Sequence, residues 1–243
     1  MSKTWAKEGI SAKVMFSVPG VATQILVSSD KEADLLLDCG SGVLRDLLSH
    51  YRDSDGFMRI MAVLISHEHF DHVGGLYPLL DFMHMIGRDK PLTILAPRPS
   101  IVVKRIIDAL LTFRKSSLTY EIELKEVSGG DKMSIVPFEV KAFKVVHRGS
   151  TKTEPVGPLI PAVGYSIIYR GVKLVYSGDT GLCESLEQEV IEADLAILEA
   201  TWKDSKGYEE IHLSERDAIE LGKKAREFIL IHRLRDLDLF LEG

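Results

Sequence analysis

Four side chains that can bind metal ions fall within the short segment SHEHFDHVGG (66–75): His67, His69, Asp71 and His72. Imidazole and carboxylate ligands suit zinc, iron or manganese. On an extended loop, the side chains at 67, 69 and 71 alternate to a common side while His72 turns away, so one segment can serve two neighbouring ions. The alternative is a set of polar groups that only form hydrogen bonds in a tight turn before a helix. Three histidines at this density favour a metal site.

Alternating strands and helices must position this segment. Runs rich in Val, Ile and Leu predict strands at 24–29, 34–38, 60–66, 92–96, 138–146, 163–169, 172–177, 194–200 and 228–232. Apolar residues at three- and four-residue intervals predict helices at 42–51, 77–87, 100–113, 183–193 and 214–228. Ser214 and Asp217 are a plausible cap for the last helix. We therefore predict one domain, residues 1–243, of two mixed β-sheets with outer helices.

Composition and charge limit the classes of protein to which this chain can belong. The formal net charge is −6 and the sequence pI is about 5.8, which argues against non-specific coating of nucleic acid. Lys3, Lys7 and Lys13 interrupt the N-terminal segment before an apolar leader can form. Cys39 and Cys183 are too few for a disulfide framework. We predict a cytoplasmic protein with reduced cysteines and no membrane partner.

The motif HxHxDH, carried by His67, His69, Asp71 and His72, resembles that of the metallo-β-lactamase superfamily. This resemblance covers roughly residues 25–232 and implies an α/β fold, the αββα sandwich. It also implies three further ligands at strand ends: His147 after FEVKAFKVV, Asp179 in YSGDTG and His232 after FILI. The implied cofactors are two divalent ions, zinc first, with manganese or iron as alternatives. The resemblance assigns His67, His69, His147 and Asp179 to one ion, and Asp71, His72, Asp179 and His232 to the other.

Each downstream match has an ordinary alternative. A single histidine after a strand is often a surface or capping residue, and the aspartate of SGDTG is compatible with a simple turn. Their joint occurrence in the order of the family favours ligands. Asp38, in LLLDCGSG, resembles the aspartate that follows a strand in this family, and we expect it to support the metal loop through hydrogen bonds.

Two ions sharing a carboxylate lower the pKa of a water toward ~7 and hold both oxygens of a displacement, so the resemblance implies hydrolysis. The segment LEAT (198–201) partly resembles a loop of ribonuclease Z, with Leu198 where that family has histidine. IHLS (211–214) resembles the loop that carries its proton donor. We predict Asp71, Glu199 and His212 as catalytic residues, with Glu199 orienting His212. The alternative is a solvated strand-end glutamate and an ordinary histidine before a helix.

The expected substrate is a phosphodiester, either RNA or a small nucleotide. His147 and Asp179 are only 32 positions apart, so we expect no long arm of the kind with which ribonuclease Z grips tRNA. Arg148, Lys152 and Arg170 are candidates for flanking a phosphate, or are ordinary solvated charges. Apolar helices such as 100–113 offer a surface for a homodimer, although core packing explains them equally.

Other functions use the same ligands. A thioester, lactone or sulfate-ester hydrolase needs the metals but not the pair Glu199 and His212. A scaffold that has lost catalysis would lack ligands, and none is missing from the motif. A di-iron oxidoreductase would need an acidic residue at a ligand position, and His69 speaks against it.

Overall fold

The computed structural model of the protein describes residues 3–149, 153–154, 156–204, 207 and 209–237. The chain forms two compact units. The N-terminal unit contains the chain up to Phe16 and Gly20–Glu126, and the C-terminal unit contains Ser17–Pro19 and the chain from Val127 onward. Each unit is built around one β-sheet. The single domain over 1–243 stays a prediction.

The N-terminal unit has a seven-stranded sheet whose strands follow in chain order. They are β1 (Lys3–Lys7), β2 (Ile10–Val18), β3 (Ala22–Ser29), β4 (Asp34–Leu37), β5 (Ile60–Leu64), β6 (Leu92–Pro97) and β7 (Ile122–Val127). The helices are α1 (Val43–His50), α2 (Asp55–Met58), α3 (Phe70–Val73), α4 (Leu76–Met85) and α5 (Val102–Arg114). Strands β1 and β2 pair antiparallel, as do β3 and β4, whereas β4, β5 and β6 run parallel. Parallel neighbours need a crossover connection, and helices supply it here.

The C-terminal unit has a six-stranded sheet in the order β13-β12-β11-β10-β9-β8. Its strands are β8 (Lys132–Ile135), β9 (Phe138–Lys144), β10 (Val163–Tyr169), β11 (Val172–Tyr176), β12 (Leu195–Glu199) and β13 (Glu227–Ile231). Strands β8 to β11 form an antiparallel meander, and β11, β12 and β13 run parallel. The helices α6 (Glu184–Val190) and α7 (Glu215–Gly222) make the two parallel connections.

Each unit has an apolar core between its sheet and its helices. In the N-terminal unit, Leu36, Val63, Leu79, Ile94 and Leu110 belong to one buried cluster. In the C-terminal unit the corresponding cluster includes Val175, Leu186, Ala196, Leu198 and Leu221. Burial of such side chains is the main favourable contribution to folding. The buried faces of the strands fix where each strand ends, and the candidate site residues follow those ends.

The apolar face of helix α5 packs into the core of its own unit. Val103, Ile107 and Leu110 are buried in the core of the N-terminal unit, while Phe113 is exposed. The homodimer stays a prediction. Among the described residues, no helix combines the length and apolar character that crossing a membrane requires.

All nine predicted strands and five predicted helices lie where the sequence predicts them, within a few residues. Helix α7 is the exception in length, because it ends at Gly222 and the predicted stretch to residue 228 enters strand β13. The predicted cap is confirmed: the Asp217 amide donates to Ser214 Oγ over 3.0 Å. Strands β1, β2, β7 and β8 were not predicted. Their apolar residues are interspersed with charged or polar ones, which weakens the apolar pattern.

Candidate metal centre

The HxHxDH segment follows strand β5 and changes conformation within the motif. Ser66 to His69 form the connection, and Phe70–Val73 form the short helix α3. The extended arrangement expected for residue 71 is therefore wrong, because Asp71 and His72 lie in a helical turn. The turn buries both side chains, whereas His69 stays exposed.

Asp38 organises the ligand residues of the N-terminal unit. Its carboxylate accepts hydrogen bonds from the Ser66 amide at 2.7 Å and from Ser66 Oγ at 2.8 Å. The same carboxylate lies 2.7 Å from His72 Nδ1. Asp38 is completely buried and has a positive φ of 55°. Positive φ is uncommon outside glycine and marks a position whose conformation the surroundings impose. The hydrogen bonds expected of Asp38 are thus present.

The glycine turn after Asp38 packs directly under the motif. The Cys39 amide donates to the His72 carbonyl over 2.7 Å, and the Gly75 amide donates to the Cys39 carbonyl over 2.8 Å. A Cβ on Gly75 would overlap the Gly40 carbonyl oxygen. Both segments therefore need glycine for their close approach, which explains the GSG and GG sequences.

Inside the N-terminal cluster, formed by His67, His69, Asp71 and His72, the ligand atoms face one another. His67 Nε2 lies 3.0 Å from His69 Nδ1. Asp71 Oδ2 lies 3.6 Å from His72 Nε2 and accepts a hydrogen bond from the Gly20 amide over 2.8 Å. Four potential ligands that converge in this way fit a metal site.

The C-terminal unit gathers its candidate residues at one edge of its sheet. His147 follows β9, Asp179 follows β11 and His232 follows β13. These three strands run in the same direction, so their carboxyl ends meet at the same edge. The fourth member is His212, on the connection before α7.

Distances within this C-terminal cluster are short. Asp179 Oδ1 lies 3.6 Å from His232 Nδ1, and Asp179 Oδ2 lies 3.8 Å from His212 Nδ1. Ligand atoms of these three residues all lie within 4.8 Å of one another. The His147 ring centroid is 5.2 Å from that of His212. His232 has a positive φ of 54°, a second unusual backbone conformation at a strand end.

Glu199 ties the C-terminal cluster together. It is completely buried and lies 2.9 Å from His212 Nδ1 through Oε1. The same oxygen accepts from the amides of Thr180 and Leu213, at 3.0 and 3.1 Å. Its Oε2 accepts from the Thr201 amide at 3.0 Å and from Thr201 Oγ1 at 2.7 Å. The predicted contact between Glu199 and His212 is present, and one carboxylate joins three separate segments.

The protonation pattern of the histidines fits metal binding. His72 Nδ1 faces the Asp38 carboxylate, and His147 Nδ1 faces the Ile211 carbonyl at 2.7 Å. Both partners only accept hydrogen bonds, so each histidine carries its proton on Nδ1 and its lone pair on Nε2. Metal-binding histidines usually donate their other nitrogen to a carboxylate or carbonyl in this manner.

Two hydroxyl groups extend this pattern to His67 and His232. Ser66 Oγ donates to Asp38 and can accept from His67 Nδ1 at 3.1 Å. Thr201 Oγ1 donates to Glu199 and can accept from His232 Nδ1 at 2.9 Å. The sequence analysis gave Ser66 and Thr201 no role. Their signal is closeness in sequence, since Ser66 directly precedes His67 and Thr201 lies two positions after Glu199.

Two other titratable groups near the motif have pKa values that their surroundings shift. Burial raises the pKa of the Cys39 thiol, and the neighbouring Asp38 raises it further. This agrees with an inert, reduced cysteine. Burial also raises the pKa of Glu68, but hydrogen bonds from the start of α5 lower it by more, so that the pKa lies below its ordinary value.

The three cations considered for phosphate contact have different surroundings. Arg148 pairs with Glu210 and donates to the Gly157 carbonyl over 3.2 Å. The Arg170 guanidinium lies over the Tyr169 ring, 4.9 Å from its centroid. Lys152 lies outside the described residues. Both described arginines therefore have partners within the protein, and a phosphate contact for either of them stays a prediction.

Known proteins resemble this chain over most of its length. Residues 34–232 match the family model of the beta-lactamase superfamily domain. The chain is 30% identical to ribonuclease Z of Pyrococcus abyssi, in an alignment covering 93% of this chain and 83% of the relative. Human tRNase Z, short form, has a TM-score of 0.74 at 22% identity, covering 91% and 92% of the two chains. The metallo-beta-lactamase fold protein YhfI from Bacillus subtilis has a TM-score of 0.72 at 22% identity, covering 93% and 87%.

These matches confirm the fold predicted from the sequence. Both solved structures cover almost all of the chain, and both sheets of this protein are mixed and carry helices as expected. The matched span, residues 34–232, contains all the positions predicted as ligands. The chain therefore belongs to the metallo-β-lactamase superfamily, close to ribonuclease Z, and is a metal-dependent hydrolase.

Proposed function

We propose that the two clusters supply the ligands of one dinuclear metal centre and that this centre hydrolyses a phosphodiester. The first ion takes His67, His69, His147 and Asp179, and the second takes Asp71, His72, Asp179 and His232. This assignment is the one that the resemblance of the sequence motifs to those of the family implies. Zinc is the proposed metal, and manganese or iron suit the same ligands.

Asp179 is suited to the shared position. Its carboxylate is buried and offers two oxygens, of which Oδ1 lies 3.6 Å from His232 Nδ1. Two divalent ions, when bound, supply an activated water and positive charge beside the phosphate oxygens. The carboxylate of Asp71, held by the Gly20 amide, is both a ligand and a catalytic residue in this proposal.

The observation that carries the proposal is the contact between Glu199 and His212. A carboxylate that accepts from Nδ1 fixes the ring of His212, and its negative charge favours the doubly protonated ring, which would carry its second proton on Nε2. From Nε2 it can pass to an oxygen that leaves the phosphorus. Such a proton donor matters most when the leaving group is a poor one, such as a ribose oxygen. A thioester or an aryl sulfate leaves readily and needs this donor less.

RNA or a small nucleotide is the proposed substrate. Ribonuclease Z relatives support RNA, since the chain aligns with them over most of its length. The short spacing between His147 and Asp179 argues against a long tRNA-gripping arm. We therefore propose that the protein acts on phosphodiesters that reach the site without such an arm, in the cytoplasm.

A panel of three substrates tests the proposal. The protein is loaded with zinc or manganese, its bound metal is counted, and it is assayed on bis(p-nitrophenyl) phosphate, a thioester and an aryl sulfate. We expect about two ions per chain, as two-metal hydrolases hold, and phosphodiesterase activity. Activity on the thioester or sulfate alone would overturn the substrate assignment and leave the metal ligands in place. A protein that binds no metal would overturn the dinuclear centre.

A further inference from the structure

Glu68 lies between two proposed ligands, His67 and His69, but its side chain points to a helix instead of the ligands. Its Oε1 accepts hydrogen bonds from Ser100 Oγ at 2.7 Å and from the Val103 amide at 3.0 Å. Four donors in all converge on this one carboxylate. The other two are the amides of residues 101 and 102, each 2.9 Å from Oε2.

These donors belong to the start of α5, a helix of 13 residues. The first amides of a helix have no partner within the helix, and the helix dipole makes this end attractive to a carboxylate. Hydrogen bonds to a charged acceptor are about twice as strong as those between neutral groups. The contact therefore fixes Glu68, and with it the backbone of the metal segment, to a rigid element.

This attachment is distinct from the one that Asp38 provides. Asp38 holds the two ends of the motif, at Ser66 and His72. Glu68 holds its centre, where the backbone has not yet entered helix α3. The contact to α5 therefore gives the residues between Ser66 and α3 a support that lies outside the motif itself.

We infer that Glu68 is a positioning residue, which holds His67 and His69 in metal-binding geometry by fixing their shared backbone to the first turn of α5. The inference rests on the proposed function, because it requires that these two histidines bind a metal. Glu68 itself binds no ion and does not touch the substrate. Its loss acts through the placement of its neighbours.

Zinc affinity tests this role directly. Glu68→Ala removes all four hydrogen bonds, and we expect its zinc affinity to fall about 10- to 100-fold, as for other residues that orient ligands. Glu68→Gln keeps one acceptor oxygen, so its affinity should fall less. Zinc affinity is measured by competition with a chromophoric chelator. The visible spectrum of the cobalt-loaded protein, which reports ligand geometry, should change in the same order.

Glu126 supplies a matched control. Its Oε1 accepts from the Ser100 amide at 2.6 Å, at the same end of α5, but Glu126 lies on β7 and not in the metal segment. Glu126→Ala and Glu126→Gln should lower thermal stability slightly and keep the zinc affinity and cobalt spectrum of the wild type. If Glu68 had a purely structural role, its variants would likewise lose a little thermal stability and keep the zinc affinity and cobalt spectrum of the wild type.

The outcomes separate this inference from the proposed function. Equal zinc affinity and equal spectra in the Glu68 and Glu126 variants would overturn the positioning role alone, with metal binding still measured in the wild type. A wild-type protein that binds no zinc would overturn the proposed function and this inference with it. If Glu68→Ala does not fold, Glu68→Gln decides the result.

Discussion

The two ligand clusters are assembled in opposite ways. The N-terminal cluster takes four residues from one short segment, His67 to His72, which follows the end of a single strand, β5. The C-terminal cluster takes His147, Asp179, His212 and His232 from four separate connections. The first depends mainly on local backbone conformation. The second depends on the pairing of parallel and antiparallel strands that brings distant segments to one edge.

A buried carboxylate organises each cluster, but with a different reach. Asp38 accepts hydrogen bonds from Ser66 and lies against His72, both in one motif. Glu199 accepts from residues at 180, 201 and 213 and holds His212. The support that Asp38 gives therefore serves one loop. Glu199 is shared by several loops of the C-terminal cluster, so the loss of Glu199 affects several residues together.

The largest expected effect comes from the residue assigned to both ions. Asp179→Ala should abolish turnover of every substrate, a loss well beyond the roughly 100-fold typical of residues that only support ligands. The measurement is kcat/KM on bis(p-nitrophenyl) phosphate together with the count of bound metal. Asp131→Ala is the control, since the Asp131 side chain accepts from the Ser128 amide in an exposed turn. Full activity of Asp179→Ala would contradict the two-metal assignment.

The dependence of the reaction rate on the leaving group tests the proposed proton donor, His212, which belongs to the C-terminal cluster. His212→Asn should slow a phosphodiester with a poor alkyl leaving group about 10²- to 10⁴-fold, the usual contribution of general acid catalysis. It should slow one with a p-nitrophenyl leaving group much less. His50→Asn, on helix α1, controls for the loss of an imidazole. Equal slowing of both substrates would mean that His212 only positions its loop.

The same contrast explains what the sequence predicts well. The HxHxDH motif is readable because its ligands are neighbours, and burial on both faces made the central strands equally clear, as in β4 and β12. The conformation inside the motif was predicted wrongly at residue 71, because helix α3 is only four residues long and has no periodic pattern. The contact of Glu68 with α5 has no local signal, since its donors lie more than 30 positions away.

The residues of the C-terminal cluster could be predicted mainly through family resemblance. Nothing in a single histidine after a strand distinguishes His147 or His232 from a surface residue until the strand order is known. The contact between Glu199 and His212 likewise depends on a connection whose path the sequence does not encode locally. The missed strands β7 and β8 show the same limit, because half-exposed strands lack a continuous apolar run.

A smaller effect is expected when Asp38, the buried carboxylate that supports the N-terminal cluster, is replaced. Asp38→Asn keeps the side-chain shape, and asparagine tolerates the positive φ at this position. It replaces one acceptor oxygen by a donor facing Ser66 or His72, so zinc affinity should fall about 10- to 100-fold. Isothermal titration with zinc measures this change, and Asp131→Asn is the matched control. Unchanged affinity would show that the motif holds its ligands without Asp38.

The smallest expected effect concerns the helix that follows His212. Ser214→Ala removes the hydrogen bond to the Asp217 amide that caps α7 and should lower the free energy of unfolding by about 1 kcal/mol. Zinc affinity should not change, because Glu199 still holds His212 and the Leu213 amide directly. Urea denaturation of the metal-free protein measures the stability, and Ser49→Ala, exposed on α1, is the control for a serine without a capping role. If Ser214→Ala also weakened zinc binding, the C-terminal cluster would depend on the start of α7 as well as on Glu199, and its support would be spread still more widely than its hydrogen bonds indicate.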